Sequence, residues 1–252
     1  MLSRQYISKI VLDDKIANST RSYIFGLPVV KNLLKIREIV LDKSVTFFIG
    51  ENGSGKSTLL EAVAIAYGFN PEGGTKNFSF STYESHSPLH AYIRLAKGVV
   101  KPKDGYFLRA ESFFNVASYI EELDSEGGGG PPVKNSYGGR SLHEQSHGES
   151  FLSLVLNRFG GNGLYILDEP EAALSPTNQL TLLAQMDYLV KKSSQLIVAT
   201  HSPILLAHPG ADIYVLTDDD IRLTPYRETE HYMVTKQFLN NTQNVLKHLL
   251  EE

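Results

Sequence analysis

The stretch that decides the fold is GENGSGKS, residues 50–57, which fits the pattern G-x-x-x-x-G-K-[ST]. An apolar run at 45–49 precedes it, and residues 57–67 repeat apolar side chains at helical spacing before Gly68. In that context glycines let backbone N–H groups turn inward around an anion, and the amino terminus of the following helix adds partial positive charge. The sequence therefore predicts a phosphate-binding loop between a buried strand and a helix.

The side chains of this loop predict a nucleotide bound together with a metal ion. Lys56 is placed to reach the β- and γ-phosphates, and the hydroxyl of Ser57 is placed to ligate Mg²⁺. The expected cofactors are therefore ATP and Mg²⁺. A glycine-rich turn without a ligand is the alternative, and the flanking strand and helix disfavour it. The expected nucleotide contacts are Gly50, Glu51, Asn52, Gly53, Ser54, Gly55, Lys56, Ser57 and Thr58.

A second acidic site follows the apolar run at 164–167. Asp168 and Glu169 stand at the carboxyl end of this predicted strand, where an open α/β sheet places its ligand groups. We expect Asp168 in the Mg²⁺ shell and Glu169 acting on the attacking water. An apolar residue in place of Glu169 would instead predict a switch that hydrolyses nucleotide slowly. Two acids after a strand often form only a polar turn, but the phosphate loop upstream favours the functional interpretation.

Composition limits the classes of function. The chain has 252 residues, of which 42% are apolar and 21% are charged, a balance typical of a folded globular protein. Its formal net charge of −4 gives no electrostatic reason for sequence-blind binding to nucleic acid, and the absence of cysteine excludes disulfides and thiolate zinc sites. The chain has neither an apolar run of the roughly 18 residues that a membrane span needs nor a secretory signal pattern. We therefore expect a cytoplasmic protein with no transmembrane segment of its own.

Apolar periodicity predicts one α/β domain over residues 1–252, with a mainly parallel sheet, antiparallel strands near the amino terminus and an inserted, partly helical subdomain at about 69–145. Within the insertion, DSEGGGGPPVKNSYGG at 124–139 predicts a flexible loop. Lys97, Lys101 and Lys103 are candidates for a basic edge, although a solvated face is the favoured interpretation. The predicted strands are 6–12, 22–25, 36–41, 45–49, 105–108, 164–167, 195–199, 213–216 and 221–225, and the predicted helices are 57–67, 110–123, 148–159, 177–192 and 229–250.

The segment RSLHEQSHGESF, residues 140–151, supports two incompatible interpretations. His143 and His147 fit H-E-x-x-H, in which one helix presents two zinc-binding imidazoles. Ser146 and Glu149 fit a capping box, which starts a helix at His147 and leaves His143 outside it. The two imidazoles would then not share a helical face, as zinc ligation through this motif requires. The capping box is favoured, and zinc proteolysis is disfavoured.

Four motifs in this order resemble those of the ABC-type ATPase superfamily. GENGSGKST is similar to Walker A, LYILDEP (164–170) to Walker B with its catalytic glutamate, EAALSP (171–176) to the D-loop, and ATHSP (199–203) to the switch-histidine loop. The resemblance implies a P-loop NTPase fold of the ABC-ATPase type, with Lys56, Glu169 and His201 as catalytic residues. It also implies that His201 contacts the γ-phosphate, and that two subunits close head to tail around two ATP molecules.

The capped turn QSHGE, residues 145–149, resembles a divergent form of the superfamily's signature motif. Through that resemblance Ser146, Gly148 and Glu149 are expected to contact ATP held by the other subunit of a homodimer. The physics agrees, because a helix amino terminus with a serine hydroxyl attracts phosphate. His147 replaces a family residue within this turn.

Two further family features have only approximate equivalents. Glu111 is the nearest equivalent of the glutamine loop and Arg109 beside it is the alternative; Glu111 is the expected third metal ligand. Tyr23 and Phe25 are the candidates for stacking on adenine, although packing in an edge strand is the alternative.

Within the superfamily, the chain resembles the RecF-like and chromosome-maintenance-like ATPases, which carry long insertions between the Walker motifs. The segment between Lys56 and Asp168 has no heptads, so the chain resembles a bare ATPase head. We predict a Mg²⁺-dependent ATPase that dimerises around ATP to drive or gate an unknown protein or nucleic-acid partner. The alternatives are an ATP-gated DNA- or protein-binding clamp in repair or defence with slow hydrolysis, and the energy subunit of an ABC transporter. A small-molecule kinase is least favoured, because the acid pair and the histidine loop serve water activation.

Overall fold

A six-stranded sheet forms the centre of the fold, as seen in a computed structural model that describes residues 5–13, 23–76, 87–110, 113–125, 132–141, 143 and 146–250. The first five strands in spatial order are parallel, and the sixth is antiparallel to its neighbour. This confirms the predicted α/β class with a mainly parallel sheet. The spatial order is β5 (Asp104–Arg109), β6 (Gly163–Asp168), β7 (Gln195–Ala199), β3 (Val45–Ile49), β8 (Asp212–Leu216) and β9 (Ile221–Leu223).

A second, three-stranded sheet confirms the antiparallel strands near the amino terminus. It consists of β1 (Ile7–Leu12) between β2 (Glu38–Val40) and β4 (Ile93–Lys97), and both pairings are antiparallel. The segment predicted as an insertion, 69–145, supplies β4 to this sheet and β5 to the central sheet. Over those strands it is therefore integral to the two sheets, and not a subdomain apart from them.

Helices cover both faces of the central sheet. Because successive side chains of a strand point to opposite faces, Phe48 packs in one hydrophobic core and its neighbour Phe47 in the other. This double burial is why β3, β6 and β7 are buried along their whole length and are mainly apolar. The helices are α1 (Pro28–Ile36), α2 (Lys56–Tyr67), α3 (Phe113–Ser125), α4 (His147–Arg158), α5 (Pro176–Lys191), α6 (Glu230–Asn240) and α7 (Thr242–Leu250). Among the described residues, none of these helices has the length and apolar character needed to cross a membrane.

Three of the predicted elements differ in the structure. The described part of the predicted strand 22–25 is a 3-10 helix, Tyr23–Gly26. The predicted strand 36–41 is confined to β2, because Pro28 at the first helical position starts α1 and Arg37, with φ of 66°, ends it. The predicted last helix, 229–250, divides into α6 and α7 at Asn241, whose φ of −136° is not helical.

The described part of the glycine- and proline-rich segment, for which a flexible loop is predicted over 124–139, contains one short helix and contacts α3. Residues Val133–Tyr137 form a 3-10 helix, and the ring of Tyr137 is buried in the core. The carboxylate of Asp124, in α3, accepts hydrogen bonds from the backbone N–H groups of Val133 and Lys134. Residues 126–131 of this segment lie outside the described residues.

A partly buried polar cluster lies at the end of the sheet where the parallel strands begin. The Asp104 carboxylate accepts hydrogen bonds from Arg158 Nη1 at 2.9 Å and from the Tyr165 hydroxyl at 2.8 Å. The same hydroxyl accepts the backbone N–H of Gly161 at 3.1 Å. Burial, followed by the nearby Asp104 charge, raises the pKa of Tyr165 well above its usual range, so this hydroxyl stays protonated and donates.

We expect Tyr165→Phe to lower the free energy of unfolding by about 2 kcal/mol, because it removes a hydrogen bond to a charged group and leaves the Gly161 N–H without its acceptor. Urea unfolding measures the change. Tyr188→Phe is the matched control, since Tyr188 is 48% exposed on α5, and it should change stability by less than about 0.5 kcal/mol. Equal losses in the two variants would contradict this account of the cluster.

Candidate nucleotide site

The strand order brings the predicted site residues to one edge of the sheet. Strand β7 lies between β3 and β6, so the carboxyl ends of all three parallel strands meet there. Gly50 follows β3, Glu169 follows β6, and His201 follows β7 by two residues. The carboxyl edge of a parallel sheet is where α/β proteins bind their ligands.

The loop between β3 and α2 has the backbone geometry that only glycine accepts. Gly55 is the N-cap of α2 with φ of 95°, and a Cβ there would lie 2.4 Å from Val29 Cγ1. A Cβ on Gly50, whose φ is 150°, would lie 2.2 Å from the carbonyl oxygen of Leu216. The glycines therefore let the chain turn under packed neighbours and enter the helix with its first N–H groups free to face a phosphate.

Lys56 is the first residue of α2, and its nearly fully buried side chain contacts this loop. Its Nζ donates to the carbonyl oxygens of Gly50 at 2.8 Å and Glu51 at 3.0 Å. Burial lowers the pKa of Lys56, and the charges of nearby Glu169, Asp168 and Glu171 act in the opposite direction. An ammonium has three N–H donors, so the loop carbonyls hold it in place while a phosphate oxygen can accept the third.

Ser57 and Asp168 form an oxygen pair next to the loop. Ser57 Oγ donates to Asp168 Oδ1 at 3.0 Å, and the Asp168 side chain is nearly fully buried. In the described part of the chain, no three histidine, aspartate or glutamate side chains come together as a metal cluster. A hydroxyl and one carboxylate fit Mg²⁺ in particular, because this ion is held by few protein oxygens together with substrate phosphates and water. Glu111, the third expected ligand, lies outside the described residues.

Arg109 connects the acid strand to the helix that follows the loop. Its Nη1 donates to Glu61 Oε2 at 2.6 Å, and its Nε lies 3.8 Å from Asp168 Oδ2. The other oxygen of Glu61 accepts the backbone N–H of Ser87 at 2.8 Å. From the sequence alone, Arg109 is considered only as an alternative equivalent of the glutamine loop, and Glu61 is missed. An acid within the apolar run LLEAVA of α2 was the available signal, because a buried carboxylate needs a partner.

Glu169 and His201 lie side by side, as their predicted roles require. His201 Nε2 is 3.8 Å from Glu169 Oε1, and 41% of the Glu169 side chain is exposed, so water can reach it. Glu169 has φ of 51° and its N–H donates to the carbonyl of Ala199 at 3.0 Å, which anchors it to β7. The backbone N–H of His201 donates to Glu171 Oε1 at 2.5 Å. Burial lowers the pKa of His201 and raises that of Glu171.

The predictions from sequence did not place α6 beside His201 and the phosphate loop. His231, in the first turn of that helix, has its Nε2 3.3 Å from His201 Nδ1. The helix also lines a cavity of about 660 Å³ that opens beside the phosphate loop. The walls of the cavity come from the loop, the turn after β8 and α6, including Gly50, Glu51, Asn52, Asp218, His201 and His231.

The helix start in the segment 140–151 is confirmed. Helix α4 begins at His147 with Ser146 as its N-cap; Ser146 Oγ accepts from the Glu149 N–H, and Ser146 N–H donates to Glu149 Oε2 at 3.0 Å. Glu149 Oε2 also accepts from the Ser146 hydroxyl at 2.8 Å, and this bond, followed by the one from the Ser146 N–H, lowers the pKa of Glu149. A Cβ on Gly148 would lie 2.6 Å from the carbonyl oxygen of Ala173, so the turn packs against the segment that resembles the D-loop. His143 lies outside the helix, with Nε2 3.2 Å from Ser118 Oγ, and Gln145 lies outside the described residues.

The two candidate adenine-stacking aromatics have different surroundings. Tyr23 is 67% exposed, whereas the Phe25 ring packs edge-on against Tyr92 with centroids 6.2 Å apart. Tyr23 is therefore the better candidate for stacking on a base, and this role stays a prediction.

Comparisons with known proteins find two family models that each match part of this chain. The family described as "AAA domain" matches residues 29–141, and the family described as "AAA domain, putative AbiEii toxin, Type IV TA system" matches residues 135–207. An uncharacterized ABC transporter ATP-binding protein from Haemophilus influenzae is 26% identical over 74% of this chain and 75% of its own length. A protein from Streptomyces coelicolor, described as a putative ABC transporter ATP-binding protein, is 27% identical over 72% of this chain and 67% of its own length.

Among solved structures, a putative metal-chelate type ABC transporter in an inward-facing conformation is similar, with a TM-score of 0.46 and 19% identity. The similarity covers 78% of this chain and 79% of that one.

We expect Glu61→Gln to lower the free energy of unfolding by about 2 kcal/mol, because the amide removes the charge that faces the partly buried Arg109 guanidinium. Chemical denaturation of the wild type and the variant measures the change. Glu38→Gln is the matched control: Glu38 pairs with Lys9 at 2.8 Å, but both side chains are about 40% exposed, so the loss should be below about 1 kcal/mol. A Glu61 variant as stable as the wild type would contradict the proposed bracing of α2 by Arg109.

Proposed function

We propose, from the premise that this chain is an ABC-type ATPase, that it binds Mg²⁺–ATP at the carboxyl edge of the central sheet and hydrolyses the γ-phosphate. One observation carries the proposal: Ser57 Oγ and Asp168 Oδ1 meet at 3.0 Å beside the buried Lys56, while Glu169 lies partly exposed next to His201. Metal ligands, phosphate-binding cation and water-activating carboxylate thus occupy one edge.

Each side chain has a distinct role in this proposal. The loop N–H groups and Lys56 hold the β- and γ-phosphates and stabilise the charge that develops on their oxygens. Ser57 and Asp168 hold Mg²⁺, which supplies further stabilisation of that charge when bound. Glu169 accepts a hydrogen bond or a proton from the water whose oxygen attacks the γ-phosphorus, and ADP leaves with the bridging oxygen. The N–H of the His201 imidazole faces the γ-phosphate.

Dimerisation around ATP completes the proposed site. Ser146 and Glu149 are exposed at the amino terminus of α4, where the helix dipole is positive. Within one chain the Ser146 hydroxyl is engaged by Glu149 at 2.8 Å. In a head-to-tail pair, the γ-phosphate bound by one subunit would compete for that hydroxyl and for the first N–H groups of the partner's helix. Closure of the pair around ATP, and its opening after hydrolysis, would drive or gate a partner molecule.

We expect Glu169→Gln to bind Mg²⁺–ATP but to lower the rate of phosphate release at least about 100-fold, because the amide cannot accept a proton from water. Phosphate release under saturating ATP measures the rate. Glu228→Gln, at an exposed carboxylate in the 3-10 helix before α6, is the control and should retain the wild-type rate. Unchanged hydrolysis in the Glu169 variant would refute its assigned role.

We expect the same Glu169→Gln protein to be a monomer without nucleotide and a dimer with Mg²⁺–ATP, as measured by light scattering. Adding Ser146→Arg should abolish the dimer without weakening ATP binding to the isolated subunit, because the larger side chain occupies the turn that meets the partner's phosphate. A protein that stays monomeric while ATP is shown to be bound would contradict the head-to-tail pair.

A second candidate concerns what the ATPase powers. The Haemophilus and Streptomyces relatives are described as ATP-binding proteins of ABC transporters, so this chain could act as such an energy subunit on a membrane partner. Purification of the native protein with ATP present tests this: integral membrane proteins in the eluate support the transporter role. DNA or a soluble protein instead would support the clamp.

A further inference from the structure

His231 and His201 form a hydrogen-bonded pair, and this bond determines which ring nitrogen of each histidine carries the proton. The two rings lie with centroids 5.4 Å apart, and His231 Nε2 is 3.3 Å from His201 Nδ1. Burial lowers the pKa of both imidazoles, so both are neutral at pH 7, and each carries one N–H. One ring must then donate and the other accept, which couples the tautomer of His201 to that of His231.

The surroundings of His201 select between the two arrangements. If His231 Nε2–H donates, His201 accepts at Nδ1 and keeps its own N–H at Nε2, which lies 3.8 Å from the Glu169 carboxylate. In the reverse arrangement, the Nε2 lone pair of His201 would face that carboxylate and would repel a phosphate oxygen, which can only accept. The first arrangement is electrostatically favoured, and it is the one that a γ-phosphate requires.

The two ring nitrogens outside this hydrogen bond, His201 Nε2 and His231 Nδ1, fit the first arrangement. His201 Nε2 is buried and has no hydrogen-bond partner among the described residues, so its N–H awaits an acceptor in the site. His231 Nδ1 is likewise buried without a partner in that part of the chain. An unprotonated Nδ1 tolerates such a position better than an N–H does, because an unsatisfied carbonyl-like acceptor is less rare in proteins than an orphaned donor.

Hydrogen bonds hold the start of α6, which carries His231, against the loop that carries His201. Thr229 caps α6: its hydroxyl accepts from the Tyr232 N–H at 3.4 Å and donates to the Tyr226 carbonyl at 2.7 Å. The Tyr226 hydroxyl in turn donates to the carbonyl of Pro203 at 2.9 Å, two residues beyond His201. The start of α6 is thus tied to the loop that it contacts, and the histidine pair is part of a connected arrangement.

We propose that His231 is a positioning residue for ATP hydrolysis, which donates from Nε2 to His201 Nδ1 and so keeps the His201 N–H directed at the γ-phosphate. The inference rests on the proposed function. It makes the amino terminus of α6 part of the hydrolytic site, and it predicts that displacement of this helix slows turnover without preventing nucleotide binding.

Steady-state hydrolysis tests the inference. His231→Leu should lower kcat about tenfold, which equals the lower end of the losses for hydrogen-bond partners that orient metal-bound histidines, while KM for ATP changes less than about twofold. His231→Gln should recover kcat to within about threefold, because its amide nitrogen can occupy the place of the imidazole Nε2 and donates. Met233→Ala, a half-exposed position on the same helix, is the control and should keep the wild-type kcat.

The double-mutant comparison separates positioning from packing. In a His201→Ala background, His231→Leu should cause no further loss of kcat, because the residue that it acts through is absent. A His231→Leu enzyme with wild-type kcat, a Gln variant as slow as the Leu variant, or an undiminished loss in the His201→Ala background would each overturn the inference.

Tautomer detection by ¹⁵N NMR of histidine-labelled wild type gives a readout that does not depend on hydrolysis. We expect His201 protonated at Nε2 and His231 at Nε2, and a proton on His201 Nδ1 would overturn the inference. A wild type that releases no phosphate but shows the expected tautomers would refute the proposed function and leave the histidine pair intact.

Discussion

The hydrogen bond from Ser57 Oγ to Asp168 Oδ1 is the contact on which the site depends. It joins the start of α2 to the end of β6, although β7 lies between β6 and the strand that leads into the phosphate loop. The contact therefore exists only if the sheet has this strand order and register. Once it is made, Glu169 follows at the exposed edge, and His201 arrives from the intervening strand.

The parts of this site that the sequence predicted are local in the chain. The phosphate loop is defined by glycine spacing between a buried strand and a helix, and the capping box at Ser146 is defined by two residues three positions apart. Both are confirmed because their conformations depend on neighbouring residues. The parallel sheet is confirmed for a related reason. Burial on both faces makes β3 and β6 mainly apolar segments, and their alternation with helices can be recognised in the sequence.

The parts that the sequence did not predict depend on contacts between distant residues. Arg109 pairs with Glu61 across 48 positions and His231 with His201 across 30, and neither pair has a spacing that a motif could reveal. Helix α1 was not predicted, because no element was assigned to residues 28–35, although Pro28 at the first helical position is a start signal for a helix. These long-range contacts brace the predicted groups. The motifs therefore reveal the candidate site residues, but they do not reveal the residues that hold them in place.

The central claim is that Ser57 and Asp168 act as one Mg²⁺ site in ATP turnover. The most direct measurement is Mg²⁺-dependent ATP hydrolysis by Ser57→Ala, Asp168→Ala and the double variant, since groups that act as a unit are strongly non-additive. The account predicts that each single change removes most of the Mg²⁺-dependent rate and that the double change removes no more. Losses that multiply, or a rate independent of Mg²⁺, would contradict it.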